Sequence, residues 1–178
     1  MSKALDFRSK GIERERKFLV QEPPHHIYKY SKAFIRQGYI SIDENGTEVR
    51  LRELRGQNPK SRRHVMTIKS GKGEQRKEEE FNLPQPRFIA LWPMTRGRRI
   101  EKARYRIPHQ GGLTIELDVY RGTLKGLVVA EVEFQSFKQA RLFQPPTWFG
   151  RELTKDSGYS NKNLARCGLP GQLKGQKT

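Results

Sequence analysis

Acidic side chains occur in this sequence as pairs separated by one residue, a spacing that can support metal or phosphate chemistry. On an extended strand, residues i and i+2 point to the same face, so the two carboxylates of a pair lie side by side. Basic residues recur on other segments with the same spacing. The acidic pairs are Glu13/Glu15, Glu78/Glu80, Glu116/Asp118 and Glu131/Glu133, and the basic residues are Arg50/Arg52, Lys69 and Lys102/Arg104/Arg106.

Like charges this close together repel each other, so each pair needs opposite charge, a metal ion or a ligand nearby. Arg and Lys bind phosphate oxygens through charge-assisted hydrogen bonds. Carboxylates hold Mg²⁺ or Mn²⁺, which prefer oxygen ligands and bridge to phosphates. For any one strand, an ordinary antiparallel sheet with a solvated face is the simpler interpretation. The repetition over many strands favours a phosphate ligand bound together with a metal ion.

The segments that must position these residues alternate charged and apolar residues with period two, which predicts strands. The predicted strands are 11–20, 38–42, 47–54, 65–69, 77–83, 99–107, 113–120 and 128–134, and the predicted helices are 27–34, 88–95, 136–143 and 159–167.

A sheet of about eight strands that closes into a barrel has room inside for side chains and one small ligand. We therefore predict an α+β fold, a closed antiparallel eight-stranded β tunnel with its charged face inward. Helices near Ile27, Phe88 and Ser136 would cover the apolar exterior, and a C-terminal helix would follow.

The 178 residues are enough for one domain with a core and short for two. We predict a flexible N-terminus at 1–10, one domain at 11–168 and a disordered basic tail at 169–178. The sequence has neither the apolar run of about 20 residues that a membrane helix needs nor an N-terminal secretory signal. We therefore expect a cytoplasmic protein. The net charge of +17 predicts an anionic partner without choosing its class.

The charged motifs resemble those of the CYTH superfamily, the triphosphate tunnel metalloenzymes. Residues 13–17 match the ExExK signature, which is weakly specific by itself. Further motifs follow in family order, and the similarity spans about residues 11–168, looking closest to short bacterial members that include inorganic triphosphatases. These motifs are V-R-L-R at 49–52, T-I-K at 67–69, K-A-R-Y at 102–105, E-L-D-V-Y at 116–120, A-E-V-E-F at 130–134, F-G-R-E-L-T at 149–154 and Y-S-N at 159–161.

This resemblance implies which acidic residues hold metal. It assigns Mg²⁺ or Mn²⁺ as the cofactor, with one ion organising the triphosphate and another positioning the attacking water. The implied metal-binding and catalytic residues are Glu13, Glu15, Glu131 and Glu133, with Asp118 joining or supporting them and Lys17 taking part in catalysis.

The same resemblance implies a set of basic residues that grip the phosphates. Glu116 and Arg106 point inward by alternation, and a last helix that plugs one mouth would let Lys155 or Lys162 reach the ligand. The implied phosphate-binding residues are Lys17, Arg50, Arg52, Lys69, Lys102 and Arg104.

Metal-dependent hydrolysis of inorganic tripolyphosphate is the expected function. A class IV-type adenylate cyclase or a nucleoside or thiamine triphosphatase is the alternative within the same fold. A cyclase needs a pocket for adenine and ribose beside the tunnel, and none is evident in the sequence. A module that binds RNA or polyphosphate through a basic exterior is a third possibility, which leaves the carboxylate pairs unexplained. We expect a monomer or homodimer.

Overall fold

A computed structural model describes residues 14–43, 47–58, 61–70 and 77–171. Three α-helices and several short 3-10 turns join eight strands in these residues. The elements are β1 Glu15–Leu19, β2 Ser31–Ile42, β3 Glu48–Arg55, β4 Arg62–Ser70, β5 Lys77–Asn82, α1 Gln85–Leu91, β6 Arg99–Pro108, β7 Thr114–Tyr120, β8 Val128–Glu133, α2 Phe137–Leu142 and α3 Asn161–Cys167.

All eight strands belong to one antiparallel sheet, with the order β1-β8-β7-β6-β2-β3-β4-β5. The predicted strand number and antiparallel pairing are therefore confirmed. The predicted closure into a ring is not: among the described residues, β1 pairs with β8 and β5 with β4, and the two edges do not pair with each other.

The outer edge of β1 is occupied by a different segment, which is the physical reason that it does not pair with β5. Backbone N–H groups of Leu153 and Leu19 donate to Lys17 and Arg151 at 2.7 and 2.9 Å, and Gly150 donates to Leu19 at 2.8 Å. A strand edge needs such partners, since unpaired backbone groups are otherwise exposed. The segment 150–153 therefore protects β1.

The helix predicted at 27–34 is wrong. The structure has a 3-10 turn at Ile27–Lys29, followed at Ser31 by the 12-residue strand β2. The strand predicted at 38–42 is only the second half of β2. Because β2 pairs with β6 from Ser31 to Gly38 and with β3 from Phe34 to Ile42, sheet hydrogen bonding outweighs the local pattern that favoured a helix.

The other predicted helices are present. Helix α1 and the 3-10 turn Trp92–Thr95 occupy the region predicted at 88–95. Helix α2 lies within 136–143, and its first turn is capped by Ser136, whose hydroxyl accepts from the Gln139 N–H. Helix α3 starts later than predicted, and the Ser160 hydroxyl caps it by accepting from the Asn163 N–H. In the described part of the chain, no helix is both long and apolar enough to cross a membrane.

Two clusters of buried apolar side chains stabilise the curved sheet. One lies on the outer face of β1, β8 and β7, where Phe18, Leu117 and Val132 are buried together with Phe143. The other lies on the inner face at the end covered by α3. It contains Tyr39, Ile100, Tyr120, Leu124, Leu127, Val129, Leu153, Tyr159, Leu164 and Ala165. The inner face is therefore apolar at the α3 end, and α3 covers that end as the predicted plug helix would.

Leu117 has no exposed surface and lies within the outer cluster, whereas the side chain of Leu142 is 67% exposed. We expect Leu117→Ala to lower the free energy of unfolding by about 2–5 kcal/mol, because it leaves a cavity in a packed core. Leu142→Ala is the matched control and should change it by less than about 0.5 kcal/mol. Urea denaturation measures both, and equal losses in the two variants would contradict the assigned core.

Candidate functional site

Charged side chains from seven strands line one cavity of about 120 Å³ on the inner face of the sheet. Apart from Ile35, every side chain in its wall is polar or charged. The edge strands β1 and β5 both contribute to this wall, so the sheet curves until its two edges face the same space. The lining residues are Glu15, Lys17, Ile35, Gln37, Arg50, Arg52, Lys69, Glu78, Lys102, Arg104, Glu116, Glu131, Glu133 and Asn161.

Arg104 on β6 is the centre of the ion-pair network. Its guanidinium donates to both oxygens of Asp118 at 2.6 and 2.7 Å, to Glu131 at 2.6 Å and to Glu116. Strand register causes this convergence, because Arg104 is directly opposite Asp118 on β7, and Glu116 is opposite Glu131 on β8. One cation therefore holds carboxylates from two neighbouring strands.

Asp118 lies behind the cavity wall and has no exposed surface. Lys102 donates to it at 2.5 Å, so its two oxygens are shared between Lys102 and Arg104. Burial lowers the pKa of Lys102, and the nearby Asp118 only partly opposes this effect. Asp118 is therefore held between two cations and does not line the cavity.

Lys17 on β1 extends the network to the sheet edge. Its ammonium lies 2.9 Å from Glu131 and 3.8 Å from Glu15. Burial alone would lower the pKa of Lys17, but these carboxylates raise it above its ordinary value. Burial likewise opposes ionisation of Glu131, yet Arg104, Lys102 and Lys17 together hold its pKa well below the usual range. Both groups are therefore charged at neutral pH.

The opposite wall of the cavity, formed by β3, β4 and β5, contains a separate set of ion pairs. Lys69 lies 2.9 Å from Glu78, and Arg50 lies 3.8 Å from the same carboxylate. Arg52 donates to Glu80 at 2.8 Å. Burial, followed by the repulsion of Arg50, lowers the pKa of Arg52 to about 10. With the buried Glu48, which lies opposite Lys69 in the strand register, these strands set three carboxylates against the three cations of this wall.

Glu15 and Glu133 are the most accessible acids at the cavity. They are directly opposite each other on β1 and β8, and both are exposed. Glu13 lies outside the described residues. Within residues 14–43, 47–58, 61–70 and 77–171, no cluster of three acidic, His or Cys side chains has the arrangement of a metal site. Oxygen donors suited to Mg²⁺ or Mn²⁺ are therefore present at the cavity but not gathered into a complete set.

Sequence reasoning gave no role to Asn161, the first residue of α3. Its side-chain oxygen accepts from the Tyr120 hydroxyl at 2.7 Å and from Lys102 at 3.3 Å. Asn161 thus ties the plug helix to the ion-pair network. Lys162 lies 3.7 Å from Glu48 rather than in the cavity wall. The Y-S-N motif at 159–161 and the position of Asn161 after a capping serine were the available signals, and neither reveals this tertiary contact.

A much larger cavity, about 910 Å³, lies elsewhere. It lies between α2 and the turn joining β6 to β7, and none of the described residues that line it is acidic. Its wall includes Leu113, Leu142 and Phe143, and among the described residues that line it Lys138 is the one Lys or Arg. Cavity size therefore does not identify the site. The small charged cavity is the candidate because it gathers groups that bind phosphate and metal.

No protein-family model matches the chain. The inorganic triphosphatase of Nitrosomonas europaea is 42% identical over 153 residues, which cover 86% of this chain and 96% of that protein. The inorganic triphosphatase of Acetivibrio thermocellus is 32% identical over 163 residues, covering 88% and 94%. The crystal structure of the inorganic triphosphatase NE1496 matches with a TM-score of 0.67 and 40% identity, covering 89% of this chain and 97% of that one.

An eight-stranded antiparallel sheet that curves around a cavity of mixed charge defines the class of triphosphate tunnel proteins, as the sequence motifs predicted. The sequence identity to the two inorganic triphosphatases, and the share of each chain that is covered, also show the family. The chain belongs to the inorganic triphosphatase family within the CYTH superfamily.

The lowered pKa of Glu131 predicts how stability depends on pH. A carboxyl group whose pKa is lower in the folded state stabilises that state above its unfolded pKa, about 4.3 for Glu. This contribution is lost as pH falls through the folded pKa. We expect the free energy of unfolding to fall as pH decreases from about 5 to 2, with a shallower fall in Glu131→Gln. Urea titrations across this range measure both slopes.

Glu131→Asp is the control, because it retains a carboxylate and should keep the steeper dependence. Identical slopes for the wild type and Glu131→Gln would contradict the assigned network.

Proposed function

We propose that the protein hydrolyses inorganic tripolyphosphate to pyrophosphate and phosphate in the charged cavity. Water would attack a terminal phosphorus, the adjacent anhydride P–O bond would break, and pyrophosphate would leave. The observation that carries this proposal is one small cavity with six inward-facing cations and several carboxylates in its wall. The relatives named inorganic triphosphatases support the same reaction.

We propose two groups of cations for the phosphate chain. Arg50, Arg52 and Lys69 form one wall, and Lys17, Lys102 and Arg104 form the other. Each cation already contacts a carboxylate, as described above, or lies among them. Phosphate oxygens would replace these carboxylates as hydrogen-bond acceptors, which costs less than leaving buried cations unpaired. The walls would thereby hold the chain and neutralise the charge that develops on the leaving pyrophosphate.

A divalent cation, Mg²⁺ or Mn²⁺, fits the donor set near the exposed acids. Glu15 and Glu133 lie directly opposite each other on β1 and β8, line the cavity and are exposed, so together they could offer oxygens to one ion. Glu13 precedes Glu15 by two residues in sequence and completes the predicted set. Glu131 would become a further ligand of the ion once the Lys17 ammonium bound a phosphate oxygen instead of the Glu131 carboxylate. When bound, such an ion supplies charge neutralisation and activates water.

Asp118 is better assigned to positioning than to metal binding. Both of its oxygens are held by Lys102 and Arg104, and it is fully buried. A buried carboxylate with two cationic partners keeps those partners charged and oriented. We propose that Asp118 fixes the two cations that grip the phosphate chain.

An inorganic chain suits this cavity better than a nucleotide does. The volume is about 120 Å³, and Ile35 is the one apolar residue among the described residues of the wall. Sites for drug-sized ligands usually have about 300–1,000 Å³ and mostly apolar walls. A nucleobase or a thiamine ring would therefore find almost no apolar surface inside this inner cavity. This argument favours tripolyphosphatase activity over cyclase, nucleotidase or thiamine triphosphatase activity.

We propose that the curved sheet acts as a tunnel although its edge strands β1 and β5 do not pair with each other in the described residues. The segment 150–153 continues the wall beyond β1, and α3 covers the apolar end. A larger cavity of about 480 Å³ at the other end shares Arg52, Arg104, Glu116 and Glu133 with the inner cavity. We call this larger space the mouth cavity. A phosphate chain would enter through it.

Release of phosphate from tripolyphosphate, ATP and thiamine triphosphate, each with Mg²⁺ or Mn²⁺, tests the proposed reaction. Tripolyphosphate should be turned over fastest, and EDTA should abolish turnover. No release from any of the three with either metal would overturn the proposal, and preference for ATP would overturn the substrate assignment.

Glu15→Gln and Glu133→Gln separate metal binding from phosphate binding. Each replaces an exposed carboxylate by an isosteric amide, so we expect kcat to fall by about 10²–10³-fold while thermal unfolding stays cooperative. Arg52→Ala should instead raise KM for tripolyphosphate by about 10–100-fold, the loss expected when a hydrogen bond to a charged group is removed. Steady-state kinetics distinguish the two effects. Wild-type kcat in purified Glu15→Gln would contradict the metal assignment.

A further inference from the structure

The mouth cavity continues outward to a basic cleft on the surface. Arg63 lines the mouth cavity together with Arg52 and Arg106. The same residue lines an outer cleft of about 420 Å³, whose wall also contains Arg62 and His64. The side chain of Arg63 is 57% exposed and contacts Asn82 at 2.8 Å and Glu80 at 3.4 Å. Arg63 therefore lies between the proposed catalytic tunnel and the exterior.

Beyond the cleft, arginines gather around a single buried carboxylate on the outer face of β3. Glu53 lies 3.0 Å from Arg36, 3.3 Å from Arg55 and 4.0 Å from Arg62, and His64 contacts it at 3.0 Å. One carboxylate neutralises only one of these three guanidinium groups. The side chains of Arg55 and Arg62 are 51% and 44% exposed, so the excess positive charge is at the surface.

The arginine cluster extends towards β6 across an aromatic side chain. Arg36 and Arg99 both lie over the ring of Trp92, at 4.9 and 4.5 Å from its centroid. Repulsion from Arg96 and Arg36 contributes to a lowered pKa of Arg99, although burial contributes most. We call this surface the outer basic belt. It consists of Arg36, Arg55, Arg62, Arg63, Arg96 and Arg99.

The belt lacks the features expected of a site that reads bases. Single-stranded nucleic acids bind largely by stacking their bases on exposed aromatic side chains. Tyr28 and Phe137 are the large aromatic residues with strongly exposed side chains in the described part of the chain, and neither lines the outer cleft. Trp92 is already covered by two arginines. The belt therefore fits a polyanion without bases.

We propose that the outer basic belt binds the distal part of an inorganic polyphosphate chain longer than three phosphates, whose end enters the mouth cavity past Arg63. This inference rests on the proposed function, because a belt that leads into the tunnel is useful only if the tunnel accepts phosphoanhydrides. The belt would retain long chains at the enzyme, and tripolyphosphate would be too short to reach it from the tunnel.

The double variant Arg55→Gln/Arg62→Gln tests the proposal. Calorimetric titration with long-chain linear polyphosphate should show affinity reduced by about tenfold, equivalent to roughly 1.4 kcal/mol. The slope of log K against log salt should become shallower by about 1.4 if each lost arginine contributes one phosphate contact. Hydrolysis of tripolyphosphate should keep its kcat and KM.

The matched control is Lys138→Gln/Arg141→Gln, which removes two exposed charges from α2, away from the belt. It should leave polyphosphate affinity unchanged. Arg55→Lys/Arg62→Lys keeps both charges and should also retain affinity, which separates binding from any effect on folding.

Three results would overturn the proposal. They are unchanged polyphosphate affinity in Arg55→Gln/Arg62→Gln, an equal loss in the α2 control, and an equal loss of affinity for single-stranded RNA, which would make the belt a general anion surface. Failure of the proposed function gives a different result: the wild type would bind polyphosphate through the belt and hydrolyse no tripolyphosphate.

Discussion

The burial of opposite charges together on the inner face of the sheet is the constraint on which the rest of the structure depends. Arg104 holds Asp118, Glu131 and Glu116 at once, and Lys17 shares Glu131. Buried charges are costly unless paired and hydrogen-bonded. The antiparallel register supplies the pairing, because it sets acidic and basic strands side by side around one cavity. The order and register of the strands therefore determine which charged side chains meet at the site.

This arrangement also explains how one cavity can accept a highly charged ligand. A triphosphate with a divalent cation brings both signs of charge with it, so it can exchange partners with ion pairs that already exist. Lys17 and Arg104 would pass from Glu131 to phosphate, and Glu131 would pass to the metal. On the wall formed by β3, β4 and β5, Arg50, Arg52 and Lys69 would likewise exchange Glu78 and Glu80 for phosphate oxygens.

The strand number and the inward-facing charged residues could be predicted because period-two alternation places successive side chains on opposite faces of a strand. The family could be predicted from the charged motifs and their order. The sequence did not predict β2 from Ser31, since pairing with two neighbours rather than local pattern makes that strand. Pairing of the β1 edge with 150–153 depends on tertiary backbone contacts that no motif encodes. Asn161 was missed for the same reason: its contacts with Tyr120 and Lys102 join segments far apart in sequence.

Calorimetric titration of metal-free tripolyphosphate into the wild type and Glu131→Gln tests the central claim most directly. If phosphate oxygens replace the Glu131 carboxylate on Lys17 and Arg104, removing that carboxylate removes a competitor and a negative charge. We expect Glu131→Gln to bind metal-free tripolyphosphate more tightly than the wild type does. Weaker or equal binding in a variant that still unfolds cooperatively would contradict it.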